Sequence, residues 1–257
     1  MIDFLPVQSV RDKDRSATTT EAFPRADVTM TGLAKLRSSN LVDLVFDQLR
    51  NAILDKSLPP GLRVTEAGLA NHLDVSKTPV REALLRLRQI GLIEDDGRRG
   101  GRVIAPSRLA IEQAFEVREA LETFTARRAA EQAGDEVRAS IAAAAASSLE
   151  GAEADDRAAF TAWDAMFHAR IGEVASNPRL TILLDDACAL ITTLRTRDLP
   201  HAGASIECAH GHVRIARAIQ EQDADRAADE MRVHLRKVKA YVIEALEDVL
   251  DHAVTNT

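Results

Sequence analysis

Apolar residues recur at every third or fourth position through most of the chain after residue 40, which is the spacing of one buried face of an α-helix. Between residues 41 and 90 this pattern forms three short stripes, separated by "SLPPG" and by "DVS". Proline cannot continue a helix, and Thr65 and Ser76 are suitable N-caps, so we predict three helices in this part. The segment "GLIEDDGRRGGRVIA" follows, and its two short apolar runs around a glycine-rich turn predict a β-hairpin.

Three helices followed by a hairpin form a winged helix-turn-helix. After residue 106 the helical periodicity predicts an antiparallel all-α helical bundle of six helices, at about 108–134, 137–150, 154–175, 178–197, 202–221 and 224–250. The alanine-rich stretch at 140–148 is a strong helix former that needs no further function. We therefore predict a mainly α protein with a flexible tail at 1–37, a winged helix-turn-helix domain at 38–106 and a helical domain at 107–257.

Composition agrees with two ordinary domains, because 46% of the 257 residues are hydrophobic and only 4% are aromatic. Cys188 and Cys208 are too few for a disulfide framework and lack the spacing of a zinc or redox pair. We expect them to be buried thiols in a reducing compartment. The sequence has no apolar run long enough to cross a membrane and no signal-peptide pattern, so we expect a soluble, cytoplasmic protein.

The chain is acidic overall, with a net charge of −7, yet residues 76–102 contain seven Lys or Arg against four Asp or Glu. In a winged helix-turn-helix the third helix enters the major groove of DNA and the hairpin reaches toward the backbone or minor groove. We therefore predict that DNA is contacted by Ser76, Lys77, Thr78 and Arg81 of the third helix and by Arg98, Arg99 and Gly100 at the hairpin tip. Arg81 is placed for a bidentate contact to guanine. The alternative is a solvated helix face.

Two further arginines, Arg86 and Arg88, lie two turns along the third helix, where we expect contacts to phosphate or ion pairs within the protein. The run "LPPGLRVTEAGLANHLDVSKTPVREALLRLRQIGLIEDDGRRGGRV" resembles the DNA-binding domain of GntR-family transcription regulators. Lys77 stands where many relatives have arginine, and Ala67 where some place an arginine that contacts DNA. The resemblance implies binding to an operator but does not imply its sequence.

Polar residues interrupt the apolar stripes of the helical part at four positions. Asp164 and His168 lie four residues apart on one helix face, beside a stripe that includes Trp163. His212 lies eleven residues before Asp223 and His234 eleven after it, so an antiparallel helix pair brings both to the same height. Three imidazoles and one carboxylate suit a divalent transition metal with open coordination positions. The alternative is a set of separate core or surface histidines.

The segments "WDAMFHARIGEVASNPRL" and "HVRIARAIQEQDADRAADEMRVHL" resemble the FCD effector domain of the FadR subfamily of GntR regulators. The resemblance implies a metal held by Asp164, His168, His212 and His234. Zinc, nickel, manganese and iron are the candidate ions, and His210, which has no match in the family, is a reserve ligand. It also implies a cavity for a small carboxylic acid effector, which Arg118 and Arg195 could fix by charge-assisted hydrogen bonds. For Arg195 a surface ion pair is the preferred alternative. Six helices rather than seven in this domain would favour the VanR-like branch of the subfamily.

The leading interpretation is a ligand-responsive transcription regulator, a repressor and not an enzyme, that binds a palindromic double-stranded DNA operator as a homodimer. A metal-dependent enzyme carrying a DNA-binding module is an alternative, although no clear acid or base accompanies the ligands. A regulator that senses the metal itself, or one whose metal is structural, is a further alternative.

Overall fold

The computed structural model describes residues 39–97, 99–195 and 202–255, and the side chains of residues 41–97, 99–195 and 205–248. The predicted tail at 1–37 and Arg98 lie outside the described residues. Residues from Ser38 onward belong to one compact unit. The described part is mainly α, as predicted, and contains nine helices and three short strands.

The N-terminal half is a winged helix-turn-helix in the order α1 (Ser39–Leu54), β1 (Arg63–Thr65), α2 (Glu66–Leu73), α3 (Lys77–Gln89), β2 (Ile93–Glu94) and β3 (Gly100–Val103). The predicted hairpin of β2 and β3 is present, and β1 adds a strand that the apolar pattern did not predict, because three residues are too few to show a period. All pairs are antiparallel, in the order β1-β3-β2.

Capping residues define where α2 begins and ends and where α3 begins. Thr65 caps α2 by accepting a hydrogen bond from the Gly68 amide at 3.0 Å. Asp74 ends that helix in the left-handed conformation, with φ of 52°. Ser76 occupies the N-cap position of α3, as predicted, but its side chain forms no capping hydrogen bond and is exposed. The Ser76 hydroxyl is thus available to a partner outside the domain.

Gly100 does not lie at the wing tip, where we predicted it. It is the first residue of β3, is buried, and has φ of 150°. A Cβ atom at this position would lie 2.2 Å from the Val64 carbonyl oxygen, so the glycine allows β1 and β3 to approach. The Arg99 side chain is exposed beside it, in the turn that precedes β3.

The C-terminal half consists of six helices that match the predicted number and closely match the predicted bounds: α4 (Arg108–Gln132), α5 (Asp135–Glu153), α6 (Arg157–Val174), α7 (Pro178–Leu194), α8 (Ala202–Gln220) and α9 (Ala224–Thr255). Asn177 caps α7 ahead of Pro178, and Asp223 accepts a hydrogen bond from the Arg226 amide at the start of α9. Trp163, predicted in the buried stripe of α6, is 39% exposed. The α6 face that it occupies turns away from the core.

Helix α7 contacts both halves of the molecule. Ala189 is buried in the hydrophobic core of the winged helix-turn-helix, and Leu190 packs against the same cluster. Arg50 of α1 donates a hydrogen bond to the carbonyl oxygen of Asp185 at 3.4 Å. Through these contacts α7 joins the winged helix-turn-helix to the bundle.

Candidate metal centre and DNA-binding surface

The four predicted metal ligands converge in the centre of the bundle. Asp164 and His168 come from α6, His212 from α8 and His234 from α9. The His212 and His234 rings lie with centroids 4.7 Å apart, and His168 lies 5.3 and 5.4 Å from them. Asp164 Oδ1 lies 3.3 Å from His212 Nε2 and 3.9 Å from His168 Nε2. The equal spacing of His212 and His234 from Asp223 therefore predicted their common height correctly.

Ser148 of α5 lies within hydrogen-bond distance of His212. Its hydroxyl donates to the Ala145 carbonyl oxygen at 2.8 Å, and its oxygen lies 2.9 Å from His212 Nδ1. When His212 Nδ1–H donates to Ser148, Nε2 carries the lone pair, which is the tautomer that a metal bound at Nε2 requires. This Nε2 lies 3.3 Å from the carboxylate of Asp164. A cation between them would stabilise that pair.

Glu122 of α4 performs the same role for His168. The Nδ1–H of His168 donates to Glu122 Oε2, and Glu122 Oε1 accepts from Arg118 Nε. All three side chains are more than nine-tenths buried. Such a carboxylate on the far nitrogen of a metal-binding histidine orients the ring and strengthens the nitrogen that faces the metal.

The pKa shifts of the cluster favour ionised carboxylates and neutral imidazoles. Burial lowers the pKa of His212, and burial with the neighbouring His212 and His168 lowers that of His234 well below its usual value. Burial opposes ionisation of Glu122, but Arg118 and His168 outweigh it and lower its pKa to about 2. Burial likewise opposes ionisation of Asp164, yet its histidine neighbours hold its pKa well below the usual range. These are the protonation states that a metal ligand requires.

The residues present fit a metal ion. The Nε2 atoms of His168 and His234 are buried and have no hydrogen-bond partner among the described residues. Donor atoms of His168, His212 and His234 lie within 4.8 Å of one another. Gly211 leaves room for the third imidazole, because a Cβ atom there would lie 2.6 Å from His234 Nδ1. Buried unpaired nitrogens are costly unless they bind something, and a metal would satisfy both.

A cavity of about 440 Å³ adjoins this cluster between α4, α6 and α7. Asp164 and His168 belong to its lining, whereas His212 and His234 do not. His212 of α8 and His234 of α9 thus lie on the side of the cluster away from the cavity. Open coordination positions of an ion held by the cluster would face the cavity. The volume is in the range of small-molecule sites.

The two predicted effector-binding arginines both line the cavity. Arg118 is buried and already paired with Glu122. Arg195 ends α7, and its Nε atom is buried without a hydrogen-bond partner among the described residues. An anion in the cavity would find an unpaired guanidinium Nε–H group there.

The predicted DNA-contacting residues Ser76, Lys77, Thr78 and Arg81 are all exposed at the N-terminal end of α3. The Arg81 guanidinium is held by Glu66, the first residue of α2, through hydrogen bonds of 3.0 to 3.2 Å. The later arginines form ion pairs within the protein. Arg86 pairs with Asp43 and lies over the Phe46 ring, and Arg88 bonds to the carbonyl oxygen of Gly100.

Comparison with known proteins identifies these two halves. Residues 41–103 match the model of the bacterial regulatory proteins of the gntR family, and residues 113–237 match the FCD domain. The probable D-xylose utilization operon transcriptional repressor of Paenarthrobacter nicotinovorans is 31% identical over 207 residues, covering 78% of this chain and 88% of that protein. The chain belongs to the GntR family.

Other relatives agree with this GntR-family assignment. The transcriptional repressor RspR of Escherichia coli is 25% identical over 80% of this chain and 91% of its own length. The solved structure of E. coli McbR/YncC superposes with a TM-score of 0.64 at 19% identity, covering 79% of this chain and 97% of that one, which shows the shared fold. A gntR domain followed by an FCD domain is consistent with the FadR subfamily.

Membership of the GntR family confirms that the protein is a DNA-binding transcription regulator and not an enzyme, because both matched families and the named relatives are regulators. The alternative of a metal-dependent enzyme is therefore wrong. None of the helices in the described ranges combines the length and apolar character that crossing a membrane requires.

Sequence reasoning missed three residues around the cluster. Ser148 lies in the alanine-rich stretch to which we gave no function, and it contacts His212. Glu122 lies one helical turn after Arg118, a spacing that could have signalled their ion pair. Cys208 lies one turn before His212, and we treated it only as a buried thiol. The proposed reserve ligand His210 is exposed and outside the cluster.

Proposed function

We propose that this GntR-family repressor binds a divalent metal through Asp164, His168, His212 and His234, and a small carboxylic acid in the adjoining cavity. The observation that carries the metal is the convergence of three imidazoles, two of which have a buried Nε2 atom without a hydrogen-bond partner among the described residues. The bound ion would supply positive charge and open positions for carboxylate oxygens. Arg195, whose buried Nε lacks a partner, would bind the same acid from the α7 side.

We assign residues 38–106 to operator binding and residues 107–257 to effector binding and dimerisation. Ser76, Lys77, Thr78 and Arg81 would contact the major groove, and Arg98 and Arg99 would reach the flanking backbone. A homodimer places two α3 helices about one DNA turn apart, which suits a palindromic operator. Because its target is DNA, the regulator would act in the cytoplasm.

Helix α7 provides the link between the cavity and the DNA-binding half. Its Leu184, Ile191 and Arg195 line the cavity, and its Ala189 is buried in the core of the winged helix-turn-helix. An acid that moves α7 would therefore change the placement of α3. Such coupling requires the acid to bind more tightly to one arrangement of α7 than to the other.

Thermal unfolding tests this function directly. Metal-replete and EDTA-treated protein are compared across a panel of mono- and dicarboxylic acids, with Trp163 beside Asp164 as a fluorescence reporter. One acid should stabilise only the metal-replete form, by roughly 2.7 kcal/mol at a hundred times its dissociation constant. Neutral sugars, including D-xylose, form the comparison set, since the named relative concerns D-xylose utilisation. Stabilisation by metal alone, with no response to any acid, would indicate a structural or signalling metal instead.

A variant separates the acid from the metal. Arg195→Gln removes the guanidinium but leaves all four proposed ligands in place. It should keep the stabilisation by metal and lose most of the stabilisation by the acid. Arg217→Gln, which alters an exposed arginine paired with Glu221 on α8, is the matched control and should respond like the wild type.

A further inference from the structure

Cys208 lies beside two of the proposed ligands, Asp164 and His212. It precedes His212 by one turn of α8 and is 4% exposed. Its Sγ atom lies 3.8 Å from His212 Nε2 and 3.9 Å from Asp164 Oδ1. Asp164, Cys208 and His212 thus form a second triad of donors that shares His212 with the three histidines.

The edges of this triad lie within a few tenths of an ångström of those between three ligand atoms of a coordination tetrahedron. With zinc–nitrogen and zinc–oxygen bonds of about 2.05 Å and a zinc–sulfur bond of about 2.3 Å, ideal edges are about 3.3 Å between nitrogen and oxygen and about 3.55 Å to sulfur. The observed edges are 3.3 Å between His212 and Asp164, and 3.8 and 3.9 Å to the sulfur. Movement of a few tenths of an ångström would place one ion in contact with all three atoms.

We propose that Cys208 is a thiolate ligand of the metal site, which makes it a mixed sulfur, nitrogen and oxygen site that prefers zinc to manganese. The inference rests on the metal site proposed above and adds a ligand to it. On binding, the Cys208 S–H bond breaks, its proton passes to solvent and a sulfur–metal bond forms, without oxidation or reduction. Thiolate favours zinc, whereas manganese suits carboxylate and water ligands.

A buried cysteine can also serve only as a small apolar side chain. Two observations favour a ligand at Cys208. The buried Nε2 atoms of His168 and His234 lack partners, which indicates an ion at this place in the bundle. The other cysteine, Cys188, lines the cavity but belongs to neither donor triad, so proximity to the cluster distinguishes the two thiols.

Cobalt substitution tests the proposal on the full-length chain. Metal-free protein is titrated with Co²⁺, and absorption is recorded for the wild type, Cys208→Ser and Cys188→Ser. The wild type and Cys188→Ser should show visible ligand-field bands together with a thiolate-to-cobalt charge-transfer band in the near ultraviolet. Cys208→Ser should keep the ligand-field bands and lose the charge-transfer band.

Each other outcome overturns the proposal in a different way. Ligand-field bands without charge transfer in the wild type mean that Cys208 is not a ligand, while the metal site itself stands. Absence of cobalt binding overturns the metal site as well. A charge-transfer band that disappears in Cys188→Ser instead assigns the sulfur to Cys188. The wild-type spectrum is informative even if a variant does not fold.

Metal preference provides a second readout. Cys208→Ser should lower zinc affinity at least tenfold and change manganese affinity little, so the ratio of the two affinities falls. An equal loss for both ions would indicate that Cys208 only shapes the site, and would overturn its role as a ligand. Competition with a coloured chelator measures both affinities on the same protein.

Discussion

Arg81 is oriented by Glu66. The guanidinium donates from Nε to both carboxylate oxygens of Glu66 and from Nη2 to Oε2, while 60% of the Arg81 side chain stays exposed. Glu66 is itself 8% exposed and lies at the start of α2. A long, flexible side chain is thereby held in one direction before DNA binds, which lowers the entropy lost on contact.

Glu66→Ala should therefore reduce sequence preference more than total affinity. If Arg81 reads a guanine, loss of its orientation removes part of about 1–3 kcal/mol of base discrimination, or up to roughly 150-fold in operator preference. Binding to unrelated DNA should stay equal or increase, since a negative charge is removed. Dissociation constants for operator DNA and for unrelated DNA, measured under the same conditions, give the operator preference and the total affinity.

The control for that measurement is Glu82→Ala, which removes an exposed negative charge from α3 without touching Arg81. It should keep the operator preference. Unchanged preference in Glu66→Ala would show that the Glu66–Arg81 pair serves the fold rather than DNA recognition.

Lys77→Ala should weaken binding to all DNA sequences alike. Lys77 is exposed at the first position of α3, where its ammonium group would contact a phosphate as a point charge. Loss of one phosphate contact reduces the slope of log affinity against log salt by about one. Titrations at several salt concentrations measure this slope. Arg217→Ala, on the exposed face of α8, should leave it unchanged, and a sequence-dependent loss in Lys77→Ala would assign Lys77 to a base instead.

The main elements could be predicted from sequence because each has a strong local signal. The apolar period located six bundle helices, and the eleven-residue spacing on either side of Asp223 placed His212 opposite His234. The glycine at position 100 led us to place this residue at the tip of the hairpin. Its positive φ instead allows β1 to pair with β3, and β1 is too short to show a periodic pattern. A contact between elements that are distant in the sequence leaves no periodic pattern in either element.

The residues that surround the cluster could not be found in this way. Glu122 and His168 are in contact although they lie 46 positions apart in the sequence, and Ser148 and His212 are in contact although they lie 64 positions apart. Glu66 and Arg81 belong to different helices, and only the packing of α2 against α3 joins them. The contact partner of each of these residues depends on which helices pack against each other. The periodicity within one helix does not specify this packing.

Ser148→Ala should lower metal affinity without weakening the helix. The variant removes the oxygen that would accept the Nδ1–H of a metal-bound His212, while alanine is the better helix former. Loss of a group that orients a metal-binding histidine costs about 10- to 100-fold in affinity. Ser147→Ala, at the neighbouring half-buried position, is the matched control and should bind metal like the wild type. Equal affinities in all three proteins would mean that Ser148 does not set the His212 tautomer.

The metal-free protein should lose stability as pH falls from about 7 to 5. Burial lowers the pKa of His212 and His234 from 6.5, so below that value the unfolded chain binds protons that the folded state does not. Each histidine then contributes a slope of up to about 1.4 kcal/mol per pH unit, with stability rising toward higher pH. His234→Gln should reduce the slope of unfolding free energy against pH in EDTA, whatever it does to absolute stability. His210→Gln, at an exposed position on α8, should keep the wild-type slope. A slope unaltered by His234→Gln would show that His234 takes up its proton in the folded state.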